Sequence, residues 1–241
     1  MANSGEVLLR LQDVGVSYRK ELRLFGSERQ EVLKHLNFEL YAGETLGVLG
    51  RNGAGKSTLM KLLADIIAPD EGEIERYTHR VQLLSLQAGF MEQLTGRQNV
   101  VMAGILLGLR RAEIMERMDQ IVEFSELGEK IDEPIRNYSA GMRARLGFAI
   151  CIQSDPDVLL IDEVLGVGDA AFRPKARRVI TERIQSSETV VIVSHNEQTL
   201  KEYCERVAWI HEGHLQMVDT AEVVIEAYRD MLASDGQGGA A

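Results

Sequence analysis

One stretch narrows the possible folds more than any other: Gly50-Arg51-Asn52-Gly53-Ala54-Gly55-Lys56-Ser57-Thr58. It has the form G-x-x-x-x-G-K-[ST], and its surroundings matter as much as its letters. Thr45 to Leu49, just before it, is a short apolar run, as expected of a strand buried on both faces. From Lys56 onward Leu59, Met60, Leu62, Leu63, Ile66 and Ile67 recur at helical spacing, and Pro69 ends the pattern. Strand, glycine loop and helix in that order require a helix packed on a sheet, hence an α/β architecture.

Phosphate chemistry follows from the same residues. Gly50, Gly53 and Gly55, with Asn52 and Ala54 between them, let the backbone wrap with its N–H groups turned inward, and the helix N-terminus adds partial positive charge. Lys56 reaches β- and γ-phosphates. Ser57 offers a hydroxyl to Mg²⁺ and Thr58 one to an α-phosphate. The second half of such a site is an acid at the end of a neighbouring strand. Val158-Leu159-Leu160-Ile161-Asp162-Glu163 supplies it, with the carboxylates at the carboxyl end of a buried strand. Asp162 is expected to hold Mg²⁺ and Glu163 to polarise the attacking water as general base. His195 follows the apolar run Val190 to Val193 and Ser194, which places it at the same sheet edge, within reach of a γ-phosphate. His35, His79, His211 and His214 lack that placement and read as surface or turn residues.

The rest of the chain extends this frame. Val7 to Tyr18 and Val32 to Leu40 read as strands, with the charged segment Arg19 to Glu31 as an exposed hairpin loop. From about Phe90 to Ser154 the pattern is mostly helical, with Arg111 to Glu126 and Met142 to Gln153 as helices and Pro134 between them. Strands return at Val158 to Ile161, Thr189 to Val193 and Arg206 to Ile210. Helix candidates Lys175 to Gln185 and Glu197 to Glu205 alternate with them, which implies a parallel sheet. Glu212-Gly213 joins the last two strands as a hairpin, and Ala221 to Leu232 is a final helix. The expected organisation is one domain over 1–233 with a helical subdomain inserted at about 90–154, and a disordered tail over 234–241. A net charge of −10 argues against nucleic acid as a partner. Cys151 and Cys204 have no metal-like spacing and read as buried thiols of a reducing compartment. The longest apolar stretch, Val100 to Leu109, is too short for a bilayer span of about 20 residues, and the N-terminus lacks a signal peptide pattern. Any work at a membrane would need a separate anchor. The basic cluster Arg173, Lys175, Arg177 and Arg178 reads as a solvated helix face.

Tyr138-Ser139-Ala140-Gly141-Met142-Arg143 lies about twenty residues before Asp162. Taken with the P-loop, Asp162-Glu163, Val167-Gly168-Asp169 and Ser194-His195, this order resembles the nucleotide-binding domain of an ABC ATPase. The Ser139 segment is a variant of the family's Leu-Ser-Gly-Gly-Gln signature. It resembles the Tyr-Ser-Ser-Gly-Met form of one branch, the ATP-binding subunits of polysaccharide and polyol-phosphate exporters (O-antigen, capsule, teichoic acid). Leu94-Thr95-Gly96-Arg97-Gln98-Asn99, Arg143 to Ala149 and Asp162 to Asp169 also look like that branch. The resemblance covers about residues 7 to 220.

It implies a P-loop NTPase of the ABC-ATPase fold: a mostly parallel core sheet with an N-terminal antiparallel β region and a helical subdomain. It implies ATP and Mg²⁺ as cofactors and a homodimer sandwiching two ATPs head to tail. Each ATP would meet Lys56 of one copy and Ser139 and Gly141 of the other, with Asp169 touching the other copy's P-loop. Gln87, one position off the family's spacing, would be the glutamine that ligates Mg²⁺ and acts in catalysis, and Tyr18 the aromatic that stacks on adenine. Phe90, Met91 and Leu94 would face an integral membrane subunit at the cytoplasmic face of the plasma membrane. Some members of the branch carry a further carbohydrate-binding domain; this chain is too short for one, so glycan recognition would sit elsewhere. The implied activity is ATP hydrolysis that drives export of a lipid-linked glycan. An exporter of another substrate, or a soluble ABC-type ATPase acting on ribosomes or DNA, are the alternatives.

Overall fold

The computed structural model describes residues 5–21, 27–84, 89–162, 169–186 and 188–238. The chain divides into two compact units, one of Met1–Leu83, Asp157–Glu163 and Ile184–Ala241, the other of Leu84–Pro156 and Val164–Arg183.

The first unit holds all nine strands found among the described residues: β1 (Val7–Glu21), β2 (Ser27–Tyr41), β3 (Thr45–Leu49), β4 (Glu71–Arg76), β5 (Val81–Leu83), β6 (Val158–Asp162), β7 (Thr189–Val193), β8 (Arg206–His211) and β9 (His214–Thr220). They form one mixed sheet in the order β4-β1-β2-β9-β8-β3-β7-β6-β5. The run β8-β3-β7-β6-β5 is parallel throughout, and β4-β1-β2 is antiparallel. This is the mostly parallel core with an antiparallel N-terminal region expected from the sequence. The two parts meet where the β8–β9 hairpin seats on β2. There Lys34 N donates to Gly213 O at 2.8 Å. Gly213 has φ +82, and a Cβ on it would press to 2.6 Å from Val32 O, so the close approach requires glycine. Every residue of β3 and β7 is buried, which is why both read as unbroken apolar runs. Helices α1 (Lys56–Leu63), α6 (Glu197–Tyr203) and α7 (Ala221–Gly238) belong to this unit.

Four expectations change. The charged segment is largely strand, since β1 runs on to Glu21 and β2 starts at Ser27, in the register Tyr18↔Gln30 and Lys20↔Glu28. Composition alone cannot tell a charged strand from a charged loop. Helix α1 stops at Leu63, well short of Pro69. Asp65 turns left-handed (φ +58), Asp65 N bonds Leu62 O at 3.1 Å and Ile66 N bonds Lys61 O at 2.9 Å, a Schellman ending. Ile66 is therefore exposed, not on the buried face. Asp162 is not on a strand adjacent to β3, because β7 lies between β3 and β6. Finally, α7 continues through Ser234 to Gly238, into the stretch expected as a disordered tail. Both cysteines are buried, as expected, and burial pushes the Cys204 thiol up to about 12.

The second unit is helical. Its elements are α2 (Gly96–Leu106), α3 (Arg111–Ser125), two 3₁₀ turns (Gly128–Asp132 and Ile135–Asn137), α4 (Ala140–Cys151) and most of α5 (Arg173–Gln185). Thr95 and Gln98 form a reciprocal capping box that starts α2. Val100, Ile114, Met118, Ile121, Ile131 and Leu146 are the centre of its core. Phe124, Phe148 and Phe172 meet in a stacked and edge-on cluster with centroids 5.7–6.0 Å apart.

Candidate nucleotide site

At the carboxyl edge of the parallel strands, the loop after β3 enters α1 through Gly55, which sits at φ +105 as the N-cap. A Cβ there would lie 2.5 Å from Leu33 Cδ2 and 2.9 Å from Val32 O. No side chain caps the helix and its first turn holds no acidic residue. Its first N–H groups, which have no intrahelical acceptor, therefore open onto the loop's concave side, a cradle suited to an anion. Lys56 is 7% exposed, and its Nζ donates to Gly50 O at 2.8 Å and Arg51 O at 3.1 Å. The loop's own carbonyls thus hold the ammonium at the mouth of the cradle.

A pocket of about 500 Å³ opens here, lined by Val32, Asn52, Gly53, Gly55, Lys56, Ser57, Thr58 and Asp162. Ser57 Oγ donates to Asp162 Oδ2 at 3.3 Å. Hydroxyl and carboxylate are hard oxygen donors, and together they make half of a Mg²⁺ site that phosphates and water would complete. Among the described residues there is no group of three or more His, Cys, Asp or Glu that could hold a metal ion.

Most of the loop residues singled out from sequence gather at this pocket. Ala54 turns away: its N–H donates to Arg51 O at 3.1 Å and its methyl joins the core. Gly50 contributes through its carbonyl. His195 follows β7, whose Val193 pairs with Val48 of β3 on one side and Asp162 of β6 on the other. The imidazole therefore starts from the same sheet edge, and it is exposed. Asn196 beside it caps α6, its Oδ1 accepting from Gln198 N at 2.9 Å. Tyr18, 42% exposed on β1, is not among the residues lining the pocket. Gln87, Glu163, Val167 and Gly168 lie outside the described residues. Val32 is a wall that sequence reasoning missed. Nothing marks it among strand residues until β2 is folded against the loop.

In the second unit Ser139 is the N-cap of α4, its Oγ accepting from Met142 N at 3.2 Å. Gly141 lies in the first turn, where a Cβ would sit 3.7 Å from Asp169 Oδ2 and 3.8 Å from Ser139 Oγ. Ser139, Gly141 and Asp169 thus form one cluster at a helix N-terminus. Asp169 Oδ1 accepts from Phe172 N at 3.1 Å and so caps the turn into α5. The segment before Ser139 is pinned by Tyr138, whose hydroxyl donates to Lys130 O at 2.5 Å and whose burial pushes its pKa up to about 12.

Comparison with known proteins bears on the family and the fold. The ABC transporter family profile matches residues 33–166. The O-antigen export system ATP-binding protein RfbB of Klebsiella pneumoniae is 41% identical over 223 residues, 92% of this chain and 91% of that protein. The teichoic acids export ATP-binding protein TagH of Enterococcus faecalis is 41% identical over 200 residues, 83% of this chain and 44% of that protein. Among solved structures, a dimeric ATP-binding cassette in a post-hydrolysis state bound to ADP and Pi superposes with a TM-score of 0.71. It is 21% identical and aligns over 89% of this chain and 99% of that one.

Proposed function

The chain belongs to the ABC transporter family as an ATP-binding ATPase subunit, and from that premise we propose that it powers export of a lipid-linked polysaccharide through a separate membrane subunit. The observation that carries the substrate class is the 41% identity, along nine-tenths of both chains, to an O-antigen export ATP-binding protein. No described helix is long and apolar enough to cross a membrane. Attachment to the cytoplasmic face of the plasma membrane would then depend on the partner, with Phe90, Met91 and Leu94 as contacts.

The chemistry assigns each residue a task. Lys56 and the first-turn N–H groups of α1 bind and orient the phosphates, and Thr58 touches the α-phosphate. Ser57, Asp162 and Gln87 would hold Mg²⁺, which when bound neutralises developing charge on the phosphates. Glu163 accepts the proton of the attacking water, and His195 holds the γ-phosphate from the neighbouring strand end. Tyr18 stacks on adenine. Ser139 and Gly141 of a second copy close the γ-phosphate from the far side, because a helix N-terminus with a hydroxyl cap favours an anion. Asp169 reaches that copy's P-loop. Two ATPs are then buried between two copies arranged head to tail.

Two variants test the site and one experiment tests the role. Lys56→Ala is expected to weaken ATP binding by roughly 10- to 100-fold, the value of one or two charge-assisted hydrogen bonds. Unchanged affinity by calorimetry would contradict the phosphate role. Glu163→Gln is expected to keep ATP binding, lose turnover and accumulate an ATP-bound dimer, seen by size exclusion. Near-normal hydrolysis would remove Glu163 as the base. Purification of the tagged chain from native membranes in mild detergent should bring down a polytopic subunit in about equal amount. A chain recovered alone, or on ribosomes or DNA, would overturn the export role and leave the ATPase intact.

A further inference from the structure

Arg145 lies one turn into α4, among Ala144, Leu146, Gly147 and Phe148, which are all buried. Its side chain is 18% exposed, and its Nε is buried without a hydrogen-bond acceptor among the described residues. Two carboxylates face it: Asp169 Oδ2 stands 4.0 Å from Nε and Glu126 Oε2 stands 3.7 Å from a terminal nitrogen. Both are ion-pair distances and too long for hydrogen bonds. Glu126 already has a closer partner, since Lys175 Nζ donates to its Oε1 at 2.8 Å and to Phe124 O at 3.0 Å. Among the described residues no cation stands closer to Asp169. Its Oδ1 is taken by Phe172 N, which leaves Oδ2 turned toward Arg145 and Gly141.

We propose that Arg145 is a positioning residue for ATP hydrolysis, which holds the Asp169 carboxylate against the N-terminus of α4 so that Ser139, Gly141 and Asp169 move as one piece. This rests on the roles proposed above for those three residues. The physical reason is that a carboxylate beside a helix N-terminus is favoured there, and a planar, permanently charged guanidinium on the same helix fixes its direction. An arginine on a helix surrounded by apolar neighbours is costly to bury unless it faces an opposite charge, and Asp169 is the charge its Nε faces. Once in place, the two segments that would meet a second copy cannot shift independently.

The experiment is a cycle of Arg145→Met, Asp169→Asn and the double variant in the full chain, measuring kcat and KM for ATP hydrolysis, with ATP affinity measured separately by calorimetry. Arg145→Met keeps the buried stem and removes the charge. It is expected to lower kcat by about tenfold with ATP affinity unchanged, and the double variant should be no slower than Asp169→Asn alone, because both remove one arrangement. Arg145→Lys restores a cation without the planar Nε and is expected to recover most of the loss. If Arg145→Met fails to fold, Arg145→Gln, which also removes the charge, carries the same cycle with Asp169→Asn. Losses that multiply, or a normal kcat in Arg145→Met, would overturn the assignment while leaving Asp169's role standing. A normal kcat in Asp169→Asn would instead overturn the role of Asp169, and this assignment with it.

Discussion

Gly55 shows how much can rest on one position. Its φ of +105 and the 2.9 Å from a hypothetical Cβ to Val32 O leave no room for a side chain. Gly55→Ala should therefore destabilise the fold by about 1–3 kcal/mol and lose ATP binding, read by urea denaturation and calorimetry. A variant with normal stability and affinity would show that the loop tolerates a side chain. Lys56 was legible from the motif, but its holders were not: the carbonyls of Gly50 and Arg51 come within reach only once the loop is wound. Away from the site, His35 and Asp13 sit opposite each other at positive φ, with Nδ1 and Oδ1 2.7 Å apart. The hydrogen bond to Asp13 raises the His35 pKa, so its stabilisation is complete below about pH 6.5 and is lost as pH rises through the raised value. Asp13→Asn should return His35 to the ordinary range, a shift measurable by NMR titration. An unmoved titration would point to another cause.

Among elements, α2 and the loop before it depend on Asn99, which is fully buried. Its Nδ2 donates to Met91 O, Leu94 O and Thr95 O at 2.9–3.1 Å, and its Oδ1 accepts from Met91 N at 2.8 Å. Asn99→Ala strands Met91 N and takes one donor from each carbonyl, which keep Leu94 N, Ile135 N and Asn99 N, and should cost about 1–3 kcal/mol. The loss would appear as a lower urea midpoint with an unchanged slope, and a midpoint within error of wild type would refute it. The Leu94-to-Asn99 run stands out in the sequence by its resemblance, whereas the amide's work of tying a loop to a helix appears only in the fold. Helix α1 teaches the converse lesson. Apolar spacing continued through Ile66 and Ile67, but the left-handed turn at Asp65 ended the helix first. Arg76 on β4 then donates to the last-turn carbonyls of Leu62 and Leu63 at 2.6 and 2.9 Å, which periodicity within one segment cannot show. The strand extension of β1 and β2 was missed for the same reason, since pairing between two charged segments leaves no apolar stripe.

For the whole molecule, acid sensitivity follows from its paired carboxylates. Asp157 is lowered by the Thr78 hydroxyl and then Arg80, Asp70 by the Ser17 N–H, and Asp132 by Arg97. Glu39 is lowered by the Tyr41 hydroxyl and then Arg10, Glu75 by the Tyr77 hydroxyl, and Glu113 by Arg110. Depressed carboxylates contribute stability above their unfolded values, near pH 4, that is lost as pH falls through the folded values. Buried Glu44 opposes them: desolvation raises its pKa, so its protonation favours the folded state as pH falls. Among the described residues the depressed groups outnumber it, and the melting temperature should fall modestly below about pH 4, since most of these pairs are exposed; a flat profile to pH 3 would mean that these pairs do not matter to folding. What the sequence alone determined was each piece of local chemistry: the phosphate loop, Asp162 at a strand end, and Ser139 and Gly141 at a helix start. Those are short patterns, where a turn, a cap or a buried strand demands particular residues at fixed spacing. What only the tertiary structure decided was which pieces meet. It set β7 between β3 and β6, brought Ser57 to Asp162, made Val32 a wall of the pocket and turned Arg145 toward Asp169. Those contacts join residues far apart in the chain, and they follow from strand pairing and shared burial, which no local pattern records.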